Sequence, residues 1–305
     1  MKFLKKILEV FKNIIFLPRN LANISRQSNN LVVIENKLED LNHKLNDLDF
    51  DSILKKLDTL AQNQTNTNNS KQNQSSEYEI KELVSKIQEG FENQFLQFES
   101  LLSIYNSLPN LKFLPATRGW AGSPDFLLKI VELILKEKPL FVLEASSGVS
   151  SVIIGLALKL NHYGKSISLD HDSYYAEITI KNLEVNSIEN ISVVKHCPFN
   201  DYIDNGQKWK WYQIENLDLT EKIDMLIIDG PPRTTQNLAR YPAIPLLHEY
   251  FSDRVLILID DTKRNDEIII VEKWIEFLKK HGYQVNIEHY NNYEKGMVLL
   301  EIIRH

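Results

Sequence analysis

The stretch Phe141-Val142-Leu143-Glu144-Ala145-Ser146-Ser147-Gly148-Val149-Ser150-Ser151 decides how this chain folds. A short apolar run follows Pro139, ends on an acid, crosses small residues and opens into a helical pattern over 149–160. That reads as a buried strand, a tight bend and a helix. Small side chains let backbone approach a ligand, and a helix start offers free N–H groups. Alone the bend is a weak signal, because many strand-to-helix turns use small residues.

Working outward, the same alternation continues. The pattern predicts strands at 166–169, 191–195, 224–228 and 255–259, and helices at 174–186, 243–251 and 266–281. Two last strands, 283–289 and 297–303, close the chain with a short turn between them. Strands alternating with helices imply an α/β fold, a mostly parallel sheet covered on both faces. The closing pair implies one antiparallel strand inserted in it.

In such a sheet ligands bind beyond the carboxyl ends of the strands, where strand order reverses. Four strand ends here carry acids. Glu144 ends the first strand, and Asp170 ends the second, followed by His171 and Asp172. A carboxylate at Asp170 suits the two hydroxyls of a ribose; a solvated strand-end acid is the plain alternative. Asp229-Gly230-Pro231-Pro232 follows the fourth strand and Asp260-Asp261 the fifth. Asp229, Asp260 and Asp261 suit a hard cation such as Mg2+. Ion pairing without metal, through Lys263, Arg264 or Arg233, suits them equally well. The absence of Gly-x-Gly-x-x-Gly after the first strand counts against a nicotinamide dehydrogenase.

These residues together resemble the class I S-adenosylmethionine-dependent methyltransferases, Rossmann-like domains with a seven-stranded sheet whose last strand is inserted antiparallel. The resemblance is greatest to a bacterial subgroup with Ser123-Pro124-Asp125 before the first strand, Asp229-Gly230-Pro231-Pro232, Arg240-Tyr241-Pro242-Ala243 and Asp260-Asp261. It covers about residues 120–303. It implies S-adenosylmethionine as cofactor, with Glu144, Ala145, Ser146 and Gly148 flanking its methionine part. It implies that Asp170 holds the ribose, with His171 beside it, and that Cys197-Pro198-Phe199 lies near the adenine. Asp229, counted with the cofactor-binding residues, is also the first choice of catalytic group. Asp229, Asp260 and Asp261 fall where metal-dependent relatives bind magnesium. Two departures stand out: serine replaces the family's first loop glycine at Ser146, and Pro232 stands where those relatives place a catalytic lysine.

The N-terminal third reads differently. Phe3, Leu4, Ile7, Leu8, Phe11, Ile14 and Ile15 form an amphipathic stripe among lysines. It suits either a helix on an anionic membrane surface or one packed on protein. Leu31, Ile34, Leu38, Leu41, Leu45 and Leu48 alternate spacings of three and four, a coiled-coil seam that calls for a homo-oligomer or a hairpin partner. The expected division is 1–60 for these helices, 61–76 for a polar flexible linker, 77–110 for a further helix and 111–305 for the methyltransferase-like domain. The helix at 77–107 carries the stripe Ile80, Val84, Ile87, Phe91, Phe95, Phe98, Leu102 and Tyr105.

The 305 residues carry a net charge of -6, with 43% hydrophobic and 25% charged side chains, as in soluble globular proteins. This balance and the lack of a basic stripe argue against nucleic acid as a partner. Cys197, the single cysteine, forms no intrachain disulfide and fits a cytoplasmic setting, peripheral at the membrane if the first helix binds there. Gln207-Lys208-Trp209-Lys210-Trp211-Tyr212 suits either stacking on a sugar or flat acceptor, or packing on the sheet. The leading expectation is an O-methyltransferase acting on a small molecule or glycan. The alternative is a non-catalytic coiled-coil scaffold with a degenerate cofactor fold.

Overall fold

The computed structural model describes residues 70–304 apart from 205, 216 and 218. The amphipathic stripe at 3–15 and the heptad seam at 31–48 lie outside the described residues. The first described element is α1 (Ser70–Ser107). It starts at Ser70 rather than residue 77, so 70–76 of the expected linker are helical. The compact unit that carries the sheet spans Gly90–His305.

The residues that bury most fully are Gln97, Ser100 and Ile104 of α1 and Leu108 just beyond it; of the predicted stripe, Tyr105 packs against the core while Phe95 is exposed. The reason is polar. Gln97 exchanges hydrogen bonds with Asp125, accepting from its N–H at 3.1 Å and donating to Oδ2 at 2.8 Å. Asp125 is fully buried and also accepts from Ser123 Oγ, Phe126 N–H and Glu294 N–H. A buried carboxylate with this many donors fixes the segments that supply them. Asp125 sits in the first turn of α2 (Pro124–Glu137), whose start uses Pro124 where no N–H is needed.

The sheet then builds as the alternation predicts. The elements are β1 (Phe141–Ala145), α3 (Val149–Asn161), β2 (Lys165–Asp170), α4 (Ser173–Val185) and β3 (Ser192–His196). A hairpin follows, β4 (Phe199–Asp204) and β5 (Gln207–Tyr212). Next come β6 (Ile223–Ile228), α5 (Ala243–Leu247), β7 (Phe251–Asp260), α6 (Asn265–Lys280), β8 (Tyr283–Tyr290) and β9 (Met297–Arg304). The seven-stranded order is β3-β2-β1-β6-β7-β9-β8. β9 alone runs against the direction of the rest of the sheet, as expected.

Both faces of the sheet are covered because the central strands bury both alternate sets of side chains. Met225 and Ile227 of β6, with Leu256 and Leu258 of β7, face the core under α1, α2, α3 and α4. Leu226 and Ile228, with Ile257 and Ile259, face the opposite core with Trp274 of α6. A period of two with no polar face is the mark of a sheet interior. The predicted helix over 243–251 is shorter: it ends at Leu247, a 3-10 turn spans His248–Tyr250, and β7 already starts at Phe251. Among the described residues no helix is long and apolar enough to cross a membrane.

Candidate active site

Strand order reverses between β1 and β6, so the crevice where ligands bind in such sheets lies over their carboxyl ends. The bend after β1 borders it. Ser146 has φ 144° and Gly148 φ 152°, both in the region that glycine favours. Ser146 therefore occupies a glycine-type backbone position. The Gly148 N–H donates to Ser151 Oγ at 3.1 Å, and that hydroxyl donates to Glu144 Oε2 at 2.6 Å. Glu144 is fully buried and its Oε1 has no protein hydrogen-bond partner. Burial pushes its carboxyl up to about 7.

Asp170 ends β2, 6% exposed. Its Oδ2 accepts from Ser147 Oγ and its Oδ1 from the Asp172 N–H at 2.9 Å. Each oxygen keeps a lone pair for a further donor. Asp172 caps α4 through the Tyr174 N–H, so the turn that aims Asp170 is itself fixed. The Cys197 N–H donates to the Asp170 carbonyl, joining the end of β3 to the same place. Burial raises the Cys197 thiol to about 11, so it is no nucleophile.

The other half of the crevice gathers Asp229, Asp260 and Asp261, which can each direct an oxygen within 4.8 Å of the others. Arg240 lies among them, 3% exposed. It donates to the Asp229 carbonyl at 2.9 Å, Asp229 Oδ1 at 3.3 Å, Asp261 Oδ2 at 2.6 Å and the Asp260 carbonyl at 2.9 Å. Arg264 adds a second guanidinium 2.7 Å from Asp261, and Lys295 an ammonium 3.9 Å from Asp260. Of the three cations the sequence offers for this role, only Arg264 takes it; Lys263 donates to the Glu294 carbonyl and Arg233 is exposed. Burial pushes Asp229 up to about 6 against the opposing pull of Arg240. Asp260, with neither oxygen hydrogen-bonded within the protein, is raised well above the usual range by burial, then by Asp229 and Asp261.

Sequence reasoning found the acids but missed three groups between them. Arg240 was visible only as part of a motif with no role attached. Ser147 and Ser151 were read as small residues, whereas their hydroxyls serve the two carboxylates. Tyr212 belongs to the stretch read as either stacking on an acceptor or packing on the sheet; Trp209 and Trp211 take the second course, buried in the core at 5% and 0% exposure, while the Tyr212 hydroxyl lies against Gly230 after β6. A Cβ placed on Gly230 would lie 2.5 Å from the Tyr212 hydroxyl and 3.0 Å from the Ala145 carbonyl. That position is closed to any residue but glycine.

A seven-stranded sheet in this order with one inserted antiparallel strand, and an acid at the tip of β2, define a Rossmann-like domain of the class I methyltransferase type. Residues 145–262 match the model of a family described as a methyltransferase domain. No curated protein matches the sequence. Among solved structures, the chain is similar to the O-methyltransferase from Bacillus cereus in complex with SAH, at 13% identity and TM-score 0.48, covering 70% of this chain and 96% of that one. It is also similar to a putative O-methyltransferase from Klebsiella pneumoniae, at 14% identity and TM-score 0.46, covering 68% and 90%. A third is TomG from Streptomyces achromogenes in complex with SAM, at 13% identity and TM-score 0.44, covering 67% and 90%.

Proposed function

We propose that the domain is an S-adenosylmethionine-dependent methyltransferase that methylates a hydroxyl oxygen of a small molecule or glycan. The observation that carries this reading is Asp170: a buried carboxylate at the tip of β2, beside a bend with two residues in glycine-type conformations, with lone pairs left for two ribose hydroxyls. In this reading Ala145, Ser146 and Gly148 line the methionine part with Glu144 behind them, and His171 and Cys197 border the adenine. The bound cofactor supplies an already activated methyl group, so the protein's work is in-line positioning of the acceptor. Asp229, raised to about 6, is still mostly ionised at neutral pH and takes the acceptor's proton.

No step is routed through magnesium. The Arg240 guanidinium already meets Asp229 and Asp261 from inside the cluster and supplies the positive charge that a cation would bring. The reading is therefore metal-independent: activity that survives a chelator supports it. Loss of activity on chelation, restored by Mg2+ and abolished by Asp260→Ala, would return the metal to the site.

The deciding experiment is calorimetric titration with S-adenosylmethionine and S-adenosylhomocysteine. Binding is expected, and Asp170→Ala weakens it. A folded domain that binds neither would leave the scaffold reading. For the N-terminal helices we propose self-association, and sedimentation of the full chain against a 1–89 deletion, which keeps the compact unit from Gly90 onward, tests it. Equal masses per chain would remove the oligomer.

A further inference from the structure

The hairpin β4–β5 interrupts the regular alternation between β3 and β6, and it puts its aromatic residues at the carboxyl edge of the sheet. Phe199 stacks on His171 with ring centroids 4.3 Å apart and planes 9° from parallel. Tyr212 meets both edge-on, at 6.4 Å from His171 and 5.4 Å from Phe199. Tyr212 is 1% exposed, and its hydroxyl reaches across to Gly230 at the end of β6.

This inference rests on the cofactor reading above. If Asp170 holds a ribose, the base extends past the ends of β2 and β3, where His171 and Phe199 stand. A purine held between two flat groups needs two van der Waals spacings, about 7 Å from one to the other. The His171–Phe199 stack leaves one. We propose that Phe199 and Tyr212 fill the base subsite themselves, and that a nucleoside enters by displacing the Phe199 ring from His171. These rings, rather than the serine bend, set the affinity for the cofactor.

The backbone under them is firmly held, so the displacement is one of side chains. The Tyr202 hydroxyl donates to the Tyr212 carbonyl at 2.9 Å, and Trp209 and Trp211 anchor β5 in the core. Gln236 bonds both the N–H and the carbonyl of Lys210. Phe199, partly exposed at the start of β4, is the ring free to turn.

The sign of one mutation separates this from rings that merely wall the subsite. Truncating a wall weakens binding; truncating a plug strengthens it. The test titrates the full chain and Phe199→Ala with S-adenosylhomocysteine, and with adenosine and homocysteine separately. Phe199→Leu is the backup if the alanine variant loses its native near-ultraviolet dichroism. The expected result is at least tenfold tighter binding of S-adenosylhomocysteine and adenosine by the variant, with homocysteine unchanged. In stopped flow, the wild-type binding rate levels off with ligand concentration while the variant's keeps rising. Equal or weaker binding by the variant overturns the plug and leaves the cofactor reading standing. If neither protein takes up the nucleoside, the plug and the cofactor reading fall together.

Discussion

Two regions at the carboxyl edge of the sheet gather buried carboxylates and satisfy them in opposite ways. Around β1 and β2, Glu144 and Asp170 take hydrogen bonds from serine hydroxyls and a backbone amide. Around β6 and β7, Asp229 and Asp261 take theirs from a buried guanidinium that also holds two strand-end carbonyls. A hydroxyl turns about one bond, and a ligand hydroxyl can replace it at a net change near 1 kcal/mol per hydrogen bond. A guanidinium with four acceptors cannot leave without stranding buried charge. The first region is thus built for exchange of partners and the second for permanence. The carboxylates facing exchangeable donors are the ones to assign to the cofactor; Asp229, held by Arg240 at Oδ1, keeps its other oxygen for the acceptor's proton.

The comparison breaks most visibly at Arg240. Arg240→Met strands Asp229 and leaves Asp261 with Arg264 alone, and the expected cost is about 3–5 kcal/mol in denaturant unfolding. Arg240→Lys keeps the charge but loses the fork, and falls between the two. A loss under about 1 kcal/mol for the methionine variant would mean that this region is no more permanent than the other.

At Asp170 the effect moves from stability to binding. In the proposed cofactor complex Asp170→Ala removes two charge-assisted bonds to the ribose, each worth about 1.5–3 kcal/mol, so cofactor affinity is expected to fall at least tenfold. Stability changes by about 1 kcal/mol, because only a serine and one amide lose their partner. A variant that unfolds as readily as Arg240→Met, or binds like wild type, would erase the distinction between the regions.

Acidity sharpens the same contrast. Burial holds Glu144 at about 7, above its unfolded value, so the folded state keeps a proton that the unfolded chain releases. This group's contribution to stability is present at low pH and is lost as pH rises through about 7. Ligand binding runs the other way, since a cationic cofactor favours the ionised carboxylate. Affinity for S-adenosylmethionine rises about tenfold from pH 6 to pH 8 as the ionised fraction grows. Glu144→Gln flattens that profile, as read by calorimetry at each pH. A wild-type profile that falls with pH would place the charge of Glu144 away from the cofactor.

The legible parts of this fold are those where one physical constraint acts alone. Met225-Leu226-Ile227-Ile228 and Val255 to Ile259 announce interior strands because both faces are buried and nothing polar intrudes. The acids at strand ends were legible for the same reason, since topology alone fixes where strands end. The hairpin was not, although its alternation Lys208-Trp209-Lys210-Trp211 and the turn dipeptide Asn205-Gly206 were both in view. An aromatic and basic strip looks the same whether its tryptophans face solvent or core; only the partner strand decides. Arg240 was hidden for a different reason. Its charge partners lie 11, 21 and 27 residues away, and burial of an arginine runs against its general preference.

The smallest expected effect concerns the bend where both regions meet the crevice. Ser146 holds φ 144°, where a Cβ is strained, in a loop whose other half is Gly148. Ser146→Gly removes that strain in the folded state but frees the unfolded chain as well. The two terms oppose, with strain relief of about 1–3 kcal/mol against about 1 kcal/mol of added chain entropy. A net gain of about 1 kcal/mol in thermal or denaturant unfolding is expected, with cofactor affinity raised by less than Phe199→Ala raises it. If the glycine variant instead gives the larger gain in affinity, the serine bend and not the hairpin rings controls entry. The exchangeable region would then owe its character to its backbone.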